Sequence, residues 1–493
     1  MDRLFLRQRI YDHFTLLLNP SFLYFFHPIL DVLTMNMPIA SSTKIFPTAL
    51  LCEHQDNNDF YLETQRYLEN YPETRFIDIC LHDLNGHIRG KRIEVNALHS
   101  LYKGCYFPLS IYAMNLNGQV VEESGLGKYI GEPDRLCMPV LGSLKPCADQ
   151  PIQHAQLLLS MQSDDGSDCM LEPRNLLKKI LTTLHQMHYF PVMAGEIEFY
   201  LSNQQQDNQA HQTQCFDVDT PHDFHRILQH IELEAKRQNI ELTAIVAESA
   251  SGQFELNIQH SHNILKLCDD IMAIKRMIRQ IAVEHHLQAS FMAKPNMSKA
   301  GSGMHFHMSL LNQWQENIFQ LDAAKKPNLI MQKVIAGLID LMPASMAILA
   351  PNVNSFRRFQ FGHHVPLQAN WGLNNRNVAI RIPCADQDNQ RLEYRVAGAD
   401  VNPYLCVATL LVGILHGLHT PLNLPKPSPQ LQGIDTPHFL PTHQLEALQL
   451  FEKNAVFKQY FGTEVMQLWC ACKRFEYQTV INKITQTELD WGI

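Results

Sequence analysis

The chain has 493 residues, of which 45% are hydrophobic and 18% charged, so it can bury a large core and is not intrinsically disordered. Lysine and arginine total 40 against 49 aspartates and glutamates, and the net charge of −9 argues against a nucleic-acid partner. No short period recurs, which excludes a collagen, a coiled coil and a short-repeat array. The length predicts two or three domains, or one large domain with a smaller companion.

Residues 1–45 are predicted to be a poorly specified N-terminal extension outside the fold. Its apolar stretch, 14–30, is broken by Asn19-Pro20 and His27-Pro28, whereas a membrane helix needs about 20 unbroken apolar residues. We therefore expect no membrane partner. A signal peptide is the alternative, because three arginines precede the stretch.

The twelve cysteines are scattered and form no Cys-x-x-Cys pair, so the sequence predicts no disulfide framework. Unpaired thiols in a chain of this size are typical of a reducing compartment, and we expect a cytoplasmic protein. Cys470 and Cys472 are close in sequence, but their spacing is interpreted as coincidence rather than a metal site.

Residues 46–150 are predicted to form a small sheet domain. An apolar run at 75–83 leads into the turn Leu84-Asn85-Gly86, and a second run follows at 87–95, which is typical of a hairpin. A glycine-rich, irregular stretch then reaches residue 134, so this domain is expected to carry a long loop.

Residues 151–493 are predicted to form a larger domain of mixed helices and strands. It contains no glycine-rich phosphate loop, so any nucleotide must be bound by another device. Helical spacing predicts helices over 173–189, 221–238, 262–286, 326–349 and 403–419. Alternation predicts strands over 192–201, 247–260, 303–311, 378–383 and 391–397, and the polar segment 204–214 is predicted to be a loop.

Polar side chains repeat at every second residue in the predicted strands, and residues two apart share one face of a strand. GEIEFYL (195–201) aligns two glutamates, and GMHFHMSL (303–310) aligns two histidines. RLEYRV (391–396) aligns a glutamate between two arginines, and two further glutamates bracket the turn in ESASGQFELN (248–257). The acidic and imidazole residues so aligned are Glu196, Glu198, Glu248, Glu255, His305, His307 and Glu393.

An ordinary solvated strand face would explain any one of these segments alone. Together they are dominated by carboxylates and imidazoles, and like charges on one face repel unless a cation lies between them. Glu196, Glu198, Glu248, Glu255 and Glu393 together with His305 make five carboxylates and one imidazole, a donor set that favours Mg²⁺ or Mn²⁺ over Zn²⁺. Arginines 358, 376, 391 and 395 are suited to anionic substrates. The residues therefore predict phosphoryl transfer or metal-assisted hydrolysis and go no further.

At these residues the sequence resembles the glutamine synthetase family, over roughly residues 46–480. The segments that carry the resemblance occur in the family's order. They are GEIEFY (195–200), ESASGQFE (248–255), FMAKP (291–295), GSGMHFHMSL (301–310), NSFRR (354–358), NNRNVAIRIP (374–383) and RLEYRVAGADVNPYL (391–405). The resemblance implies an α+β fold, with an N-terminal β-grasp domain (46–150) and a larger catalytic domain (151–493) built on a curved antiparallel sheet.

The resemblance also implies roles for the aligned residues. Two or more Mg²⁺ or Mn²⁺ ions per subunit would be bound, one by Glu198, Glu248 and Glu255 and a second by Glu196, His305 and Glu393. His307 and Ser309 would line the site of the co-substrate ATP, with Arg391 and Arg376 near its phosphates. Arg358 would hold the glutamate α-carboxylate, with Gly301 and Trp371 also at the substrate. Arg395 would contact the γ-carboxylate or the transferred phosphoryl group, and Glu393, Arg395 and Arg376 would be catalytic.

In the family mechanism, ATP phosphorylates the glutamate side chain and an amine displaces the phosphate. Family members form two stacked rings, usually of six subunits. The resemblance therefore implies a homo-oligomer, a dodecamer of two hexameric rings. The irregular loop 105–134 would complete the active site of a neighbouring subunit.

Departures from the ammonia-using members favour a bulkier amine. Ala300 replaces their asparagine, Asn374 replaces an arginine and Asp388 replaces a lysine, while LSIYAMNLNG (109–118) lacks the aspartate of their ammonium site. The Trp371–Arg376 segment and the FMAKP run resemble the γ-glutamylpolyamine (γ-glutamylputrescine) synthetase branch. We therefore expect putrescine or another polyamine or monoamine as co-substrate. A glutamine synthetase that uses ammonia, and a non-catalytic structural or regulatory protein on the same fold, remain the alternatives.

Two features could bind a cationic amine. Trp371 could offer a cation–π contact, although a packed core tryptophan is the alternative. The acidic residues of the entry loop could attract a polyamine, although a solvated loop explains them equally well. These loop residues are Glu122, Glu123, Glu132 and Asp134.

Overall fold

A computed structural model describes residues 57–203, 213–219, 221–360, 365–429 and 439–492. The predicted extension 1–45 lies outside the described residues, as does most of the predicted loop 204–214. The described residues all belong to one compact unit, Gln55–Ile493.

The first sheet contains the predicted hairpin. Its strands are β1 (Phe76–His82), β2 (Ile88–Glu94), β3 (Cys105–Pro108), β4 (Asp134–Pro139), β5 (Lys145–Pro146) and β6 (His154–Met161). Their spatial order is β2–β1–β6–β4–β3, with β5 paired to β6. Asp83 closes the hairpin turn, since its Oδ1 accepts from the backbone N–H groups of Asn85 and His87, both at 2.9 Å.

The predicted boundary at residue 150 falls before β6, which pairs in parallel with β1 in the first sheet. The division into domains and the β-grasp assignment of this sheet stay predictions. Between β3 and β4, three short 3-10 turns occupy the stretch predicted to be irregular.

The second sheet contains every strand predicted for the larger domain. Its strands are β7 (Phe190–Ser202), β8 (Leu242–Ala247), β9 (Gln253–Ile258), β10 (Gln288–Ser290), β11 (Met304–Leu311), β12 (Trp371–Leu373), β13 (Ile380–Ile382) and β14 (Leu392–Tyr394). The order is β12–β13–β14–β11–β7–β9–β8, with β10 paired to β7. Its neighbours are antiparallel except for the β12–β13 pair. β7 and β11 therefore lie at the centre of the sheet.

All five predicted helices form, close to their expected bounds. The helices within the described residues are α1 (Asn57–Asn70), α2 (Pro173–Gln186), α3 (His222–Arg237), α4 (Ile264–Glu284), α5 (Leu329–Leu349), α6 (Val353–Phe356), α7 (Pro403–His419), α8 (Gln444–Lys453), α9 (Ala455–Phe461), α10 (Thr463–Ile481) and α11 (Gln486–Asp490). Local signals set their starts: Asn328 caps α5 by accepting from Met331 N at 3.0 Å, and α7 begins with Pro403 after the cap Asn402.

The two most apolar helices, α5 and α7, cross at glycines. A methyl group at Gly337 would lie 2.3 Å from Gly417 N and 2.4 Å from Gly413 O, so only glycine permits this approach. α5 is long and apolar enough to cross a membrane by length and composition alone, yet 67% of its most apolar window is buried inside the protein.

The core face of the central strands is fully apolar. On β11, Met304, Phe306 and Met308 are at most 1% exposed, and on β7 Ile197 and Phe199 are fully buried. Since side chains alternate along a strand, the residues between these point to the opposite face. That opposite face holds the predicted acidic and imidazole residues.

Candidate active site

Strand register brings the predicted polar residues together in pairs. Glu196 on β7 lies opposite His305 on β11, and Glu198 lies opposite Glu255 on β9. His307 lies opposite Glu393 on β14 in the same way. Four strands thus deliver these side chains to one region of the sheet, as the alternation predicted.

Three carboxylates form the first cluster. One oxygen each of Glu198, Glu248 and Glu255 lies within 4.8 Å of the others. Glu248 arrives from the turn between β8 and β9, where Gly252 has a φ of +76° and a Cβ would lie 2.7 Å from Leu201 O. The turn therefore requires glycine to return the chain at this point.

The pKa values of this cluster show that its charges repel. Burial, followed by the charges of three neighbouring glutamates, raises the pKa of Glu255 to about 9. Burial and the charge of Glu198 also raise the pKa of Glu248. Three crowded, partly buried carboxylates supply oxygen donors only, which are the ligands that hard divalent cations prefer. The residues present therefore fit a divalent cation, and these glutamates would hold it.

Glu196 is the centre of two further groups that could hold a metal ion. One contains Glu196, Glu255 and His305, and the other contains Glu196, His307 and Glu393. His307 Nε2 lies 2.7 Å from Glu196 Oε1, and His305 Nδ1 lies 3.4 Å from Glu196 Oε2. Although burial raises the pKa of Glu196, hydrogen bonds from both imidazoles outweigh it and hold that pKa below the usual value. The three residues predicted for the second ion, Glu196, His305 and Glu393, are thus divided between two groups that share Glu196, and Glu255 links one of these groups to the first cluster.

Two arginines clamp Glu393. Arg381 Nη1 donates to Glu393 Oε2 at 2.7 Å, and Arg395 pairs with the other carboxylate oxygen. Burial would raise the pKa of Glu393, but the charge of Arg395 lowers it. Arg381 is absent from the sequence prediction. The available signal was a single charged residue between two isoleucines, Ile380 and Ile382. The strand register places Arg381 opposite Glu393.

Arg358 is buried beside the clusters, at 3% exposure. Its Nη1 donates to the carbonyl oxygens of Val396 at 2.8 Å and Ala397 at 3.1 Å. A Cβ at Gly301 would lie 2.8 Å from Arg358 Cγ, and one at Gly303 would lie 2.6 Å from Arg358 Nη2. Both glycines of the Gly-Ser-Gly run therefore make room for this guanidinium.

A cavity of about 1130 Å³ adjoins the clusters. Glu196, His307, Ser309 and Arg391 line it, and Arg391 Nε donates to His307 Nδ1 at 3.1 Å. This cavity is large enough for a nucleotide-sized ligand and opens next to the candidate metal ligands. Asp388, one of the departures from the ammonia-using pattern, also lines it.

Two predicted site residues lie apart from this arrangement. Arg376 is exposed and does not line the large cavity. Trp371 is 3% exposed and its Nε1–H donates to Pro425 O at 2.7 Å, which matches a packed core tryptophan. The roles assigned to Arg376 and Trp371 stay predictions.

Comparison with known proteins identifies the class. The model of the glutamine synthetase catalytic domain matches residues 170–492. The chain belongs to the glutamine synthetase family, as the sequence motifs predicted.

Particular relatives narrow the class further. The chain is 46% identical over 454 residues to γ-glutamylputrescine synthetase PuuA of Escherichia coli (strain K12), across 89% of this chain and 96% of that protein. It is 28% identical over 462 residues to a glutamate–isopropylamine ligase of a Pseudomonas species, across 88% of this chain and 98% of that one. The solved structure of a GmaS/ADP complex shares the fold with a TM-score of 0.75, at 23% identity over 86% of this chain and 98% of that chain. The predicted α+β fold of the glutamine synthetase type is confirmed.

Proposed function

We propose that the protein is an ATP-dependent ligase that joins the side-chain carboxylate of glutamate to the amino group of putrescine or a similar amine. The observation that carries this proposal is the convergence of Glu196, Glu198, Glu255, His305 and Glu393 beside a large cavity. The relative at 46% identity, which is named as a γ-glutamylputrescine synthetase, supports putrescine as the amine.

Two divalent cations, Mg²⁺ or Mn²⁺, would be held at the clusters. Glu198, Glu248 and Glu255 would bind one, and Glu196, His305 and Glu393 the other. When bound, such cations neutralise charge on a phosphoryl group in transfer. The clamp of Arg381 and Arg395 keeps Glu393 ionised and fixed in direction, so it is available as a ligand.

The remaining residues would bind and orient the substrates. His307, Ser309 and Arg391 line the large cavity and would contact ATP there, with Arg376 reaching its phosphates only after a movement. Arg358 would hold the glutamate α-carboxylate near Gly301, and Arg395 would face the γ-carboxylate as it becomes the γ-glutamyl phosphate. Holding both reactants in place supplies much of the rate acceleration in such a transfer.

A ring-shaped homo-oligomer of twelve subunits, in the cytoplasm, is part of the proposal. On the loop expected to reach a neighbour, Tyr129 is 95% exposed and Ile130 is 50% exposed. An apolar pair on a loop tip gains stability when another subunit covers it. Sedimentation of the purified chain measures the assembly.

The function is tested by phosphate release from ATP with glutamate and one amine at a time. The panel contains putrescine, isopropylamine, ethanolamine and ammonium. We expect putrescine to give the highest kcat/KM. Turnover with ammonium alone would contradict the amine assignment, and no turnover with any amine would favour a non-catalytic protein.

The metal ligands are tested in the same assay. Glu393→Gln and His305→Ala should each lower phosphate release by about 100-fold or more, because charge stabilisation at the transferring group is lost. Glu232→Gln, an exposed glutamate on α3, is the control and should keep full activity. Sedimentation of all three variants should match the unmodified protein. Full activity in either ligand variant would reject the assignment.

A further inference from the structure

Side chains hold the backbone of the loop that precedes β11, residues 299–303. We call this segment the glycine loop, since it contains both glycines that make room for Arg358. Three consecutive carbonyl oxygens of the loop each accept a hydrogen bond from a side chain. The pairs are Lys294 Nζ with Lys299 O at 2.7 Å, Tyr200 Oη with Ala300 O at 2.7 Å, and Gln253 Nε2 with Gly301 O at 3.0 Å. The path of the loop is therefore set by these donors rather than by regular secondary structure.

Two of the donors extend the polar face of the central strands. Tyr200 on β7 lies opposite Gln253 on β9, two residues along from the pair of Glu198 and Glu255. Since residues two apart share a face, Tyr200 points the same way as Glu198, and Gln253 points the same way as Glu255. Both donors are therefore built on the strands that carry the first carboxylate cluster.

The amide of Gln253 also reaches that cluster. Its Nε2 lies 3.0 Å from Gly301 O and 3.4 Å from Glu198 Oε2, and Gln253 is only 1% exposed. Both neighbours are hydrogen-bond acceptors, so the amide nitrogen, which carries two hydrogens, must face them. A single amide thus links a candidate metal ligand to the glycine loop.

Glu198 receives a second hydrogen bond from the glycine loop itself. The backbone N–H of Gly303 donates to the same Glu198 Oε2 at 2.7 Å. The other carboxylate oxygen, Oε1, lies 3.9 Å from Nε2 of His305, another candidate metal ligand. Because two donors hold Oε2, the direction of Oε1 toward the clusters is fixed as well.

Hydrogen bonds to a metal ligand influence how tightly the ion is held. They orient the ligand before the ion arrives, and removing such a supporting partner typically weakens metal affinity by about 10–100-fold. The amide of Gln253 is neutral, so it orients Glu198 without cancelling the negative charge that attracts a cation.

We propose that Gln253 is a positioning residue that couples Glu198, and with it the cation at the first cluster, to the glycine loop, whereas Tyr200 positions the loop alone. The inference rests on the proposed function, in which this loop adjoins the bound glutamate at Gly301. Gln253 contacts both the ligand and the loop, while the Tyr200 hydroxyl donates to the loop at Ala300 O. The loss of each residue should therefore change different quantities.

The first measurement is Mn²⁺ binding to the full chain by isothermal titration calorimetry, without ATP or glutamate. Gln253→Met removes both hydrogen bonds of the amide at nearly constant volume, and we expect it to weaken Mn²⁺ binding at the first cluster by about tenfold or more. Gln253→Asn is one methylene shorter but keeps the position polar, so it should weaken Mn²⁺ similarly and serves if Gln253→Met does not fold. Glu248→Gln identifies the binding event that belongs to this cluster.

The second measurement is the KM for glutamate, from phosphate release with putrescine as the amine. Tyr200→Phe removes only the hydroxyl group, so we expect this KM to rise about threefold or more while Mn²⁺ affinity changes by less than about twofold. Gln253→Met should raise the KM for glutamate and the Mn²⁺ dissociation constant together.

Gln444→Met is the matched control. Gln444 is 2% exposed, and its Nε2 also donates to a backbone carbonyl oxygen, that of Pro351, at 2.9 Å. It belongs to none of the groups that could hold a metal ion among the described residues, and it does not line the large cavity. Gln444→Met should lower stability in urea but leave Mn²⁺ affinity and the KM for glutamate unchanged. A merely structural role for Gln253 predicts that same result for Gln253→Met.

Three results would overturn the inference: no Mn²⁺ binding to the unmodified chain, unchanged Mn²⁺ affinity in the Gln253 variants, or equal weakening in Tyr200→Phe or Gln444→Met. Turnover by the unmodified chain, with unchanged Mn²⁺ affinity in Gln253→Met, rejects the positioning role alone. Weaker Mn²⁺ binding in Gln253→Met, in a chain that turns over no amine, supports the link to the cation and rejects the ligase alone.

Discussion

His154, at the start of β6, is buried between two aspartates. Its Nε2 lies 3.0 Å from Asp78 Oδ2, and its Nδ1 lies 3.2 Å from Asp149 Oδ1. Arg276 on α4 pairs with the same Asp78 oxygen. Burial alone would lower the pKa of His154, but the neighbouring carboxylates of Asp149 and Asp78 raise it to about 11. The imidazolium ion is therefore the native form, and it ties β1 to β6.

Stability should depend on pH through this residue. Because the folded pKa lies above the usual 6.5, the stabilising contribution is complete below pH 6.5 and is lost as the pH rises toward 11. His154→Gln should therefore lower the free energy of unfolding more at about pH 6 than at about pH 9, measured by urea denaturation. His225→Gln, an exposed histidine on α3, is the control and should show no such difference. Equal losses for His154→Gln at both pH values would contradict the assignment.

Residue positions in the candidate site could be predicted where side chains alternate along a long strand. They could not be predicted where the contact depends on the register between two strands. Glu196, His305 and Glu393 converge because each occupies a strand position of fixed parity. Arg381 was missed because one arginine in a three-residue strand has no periodicity, and only the register with β14 reveals its partner. The orientation of Trp371 likewise depends on the later segment that accepts its hydrogen bond.

At the scale of elements, long periodic segments were predictable and short ones were not. The helices α4, α5 and α7 and the strands β7 and β11 match their predicted spans closely. The three-residue strands β10 and β12 were not predicted, because they are defined by their neighbours in the sheet rather than by their own pattern. The helices between Gln444 and Asp490 also went unpredicted.

The crossing of α5 and α7 gives a prediction at this scale. Gly337→Ala places a methyl group against the backbone of Gly413 and Gly417, so the helices must separate. Such overpacking should lower the free energy of unfolding by about 1–3 kcal/mol or more, measured by urea denaturation. Leu329→Ala, at a 67% exposed position on the same helix, should change it by less than about 0.5 kcal/mol. An equal effect of both substitutions would show that the crossing tolerates a wider spacing.

Across the whole molecule, the first hairpin is bound to α10, the second-last helix of the described chain. Glu476 Oε1 accepts from Asn85 Nδ2 at 3.0 Å and from Leu116 N at 2.9 Å, while Lys473 Nζ lies 2.9 Å from Glu476 Oε2. Lys473 is only 1% exposed and also pairs with Asn85. Contacts between residues almost 400 positions apart cannot be predicted from one sequence, because no local pattern links them.

Removing one partner of this buried pair should be costly. Glu476→Gln leaves the Lys473 ammonium buried without a counter-ion, and we expect a loss of about 3–5 kcal/mol in the free energy of unfolding. The control is Glu452→Gln on α8, which breaks an exposed ion pair with Arg474 of α10. This change should cost less than about 1 kcal/mol. Thermal and urea unfolding measure both. Similar losses in the free energy of unfolding for the two variants would show that the buried Lys473–Glu476 pair contributes no more to stability than the exposed pair.

The pairing of β7 with β11 has a consequence for how the protein can fail. A shift of one residue would turn Phe306 outward and drive His305 into the apolar layer, since both are fixed by the same ladder. A strand pair in the wrong register therefore cannot also have a well-packed core. The same register that packs the core sets the positions of the candidate metal ligands. Substitutions on the apolar face of β7 and β11 should therefore lower the yield of folded protein. The molecules that do fold should keep the activity of the unmodified protein.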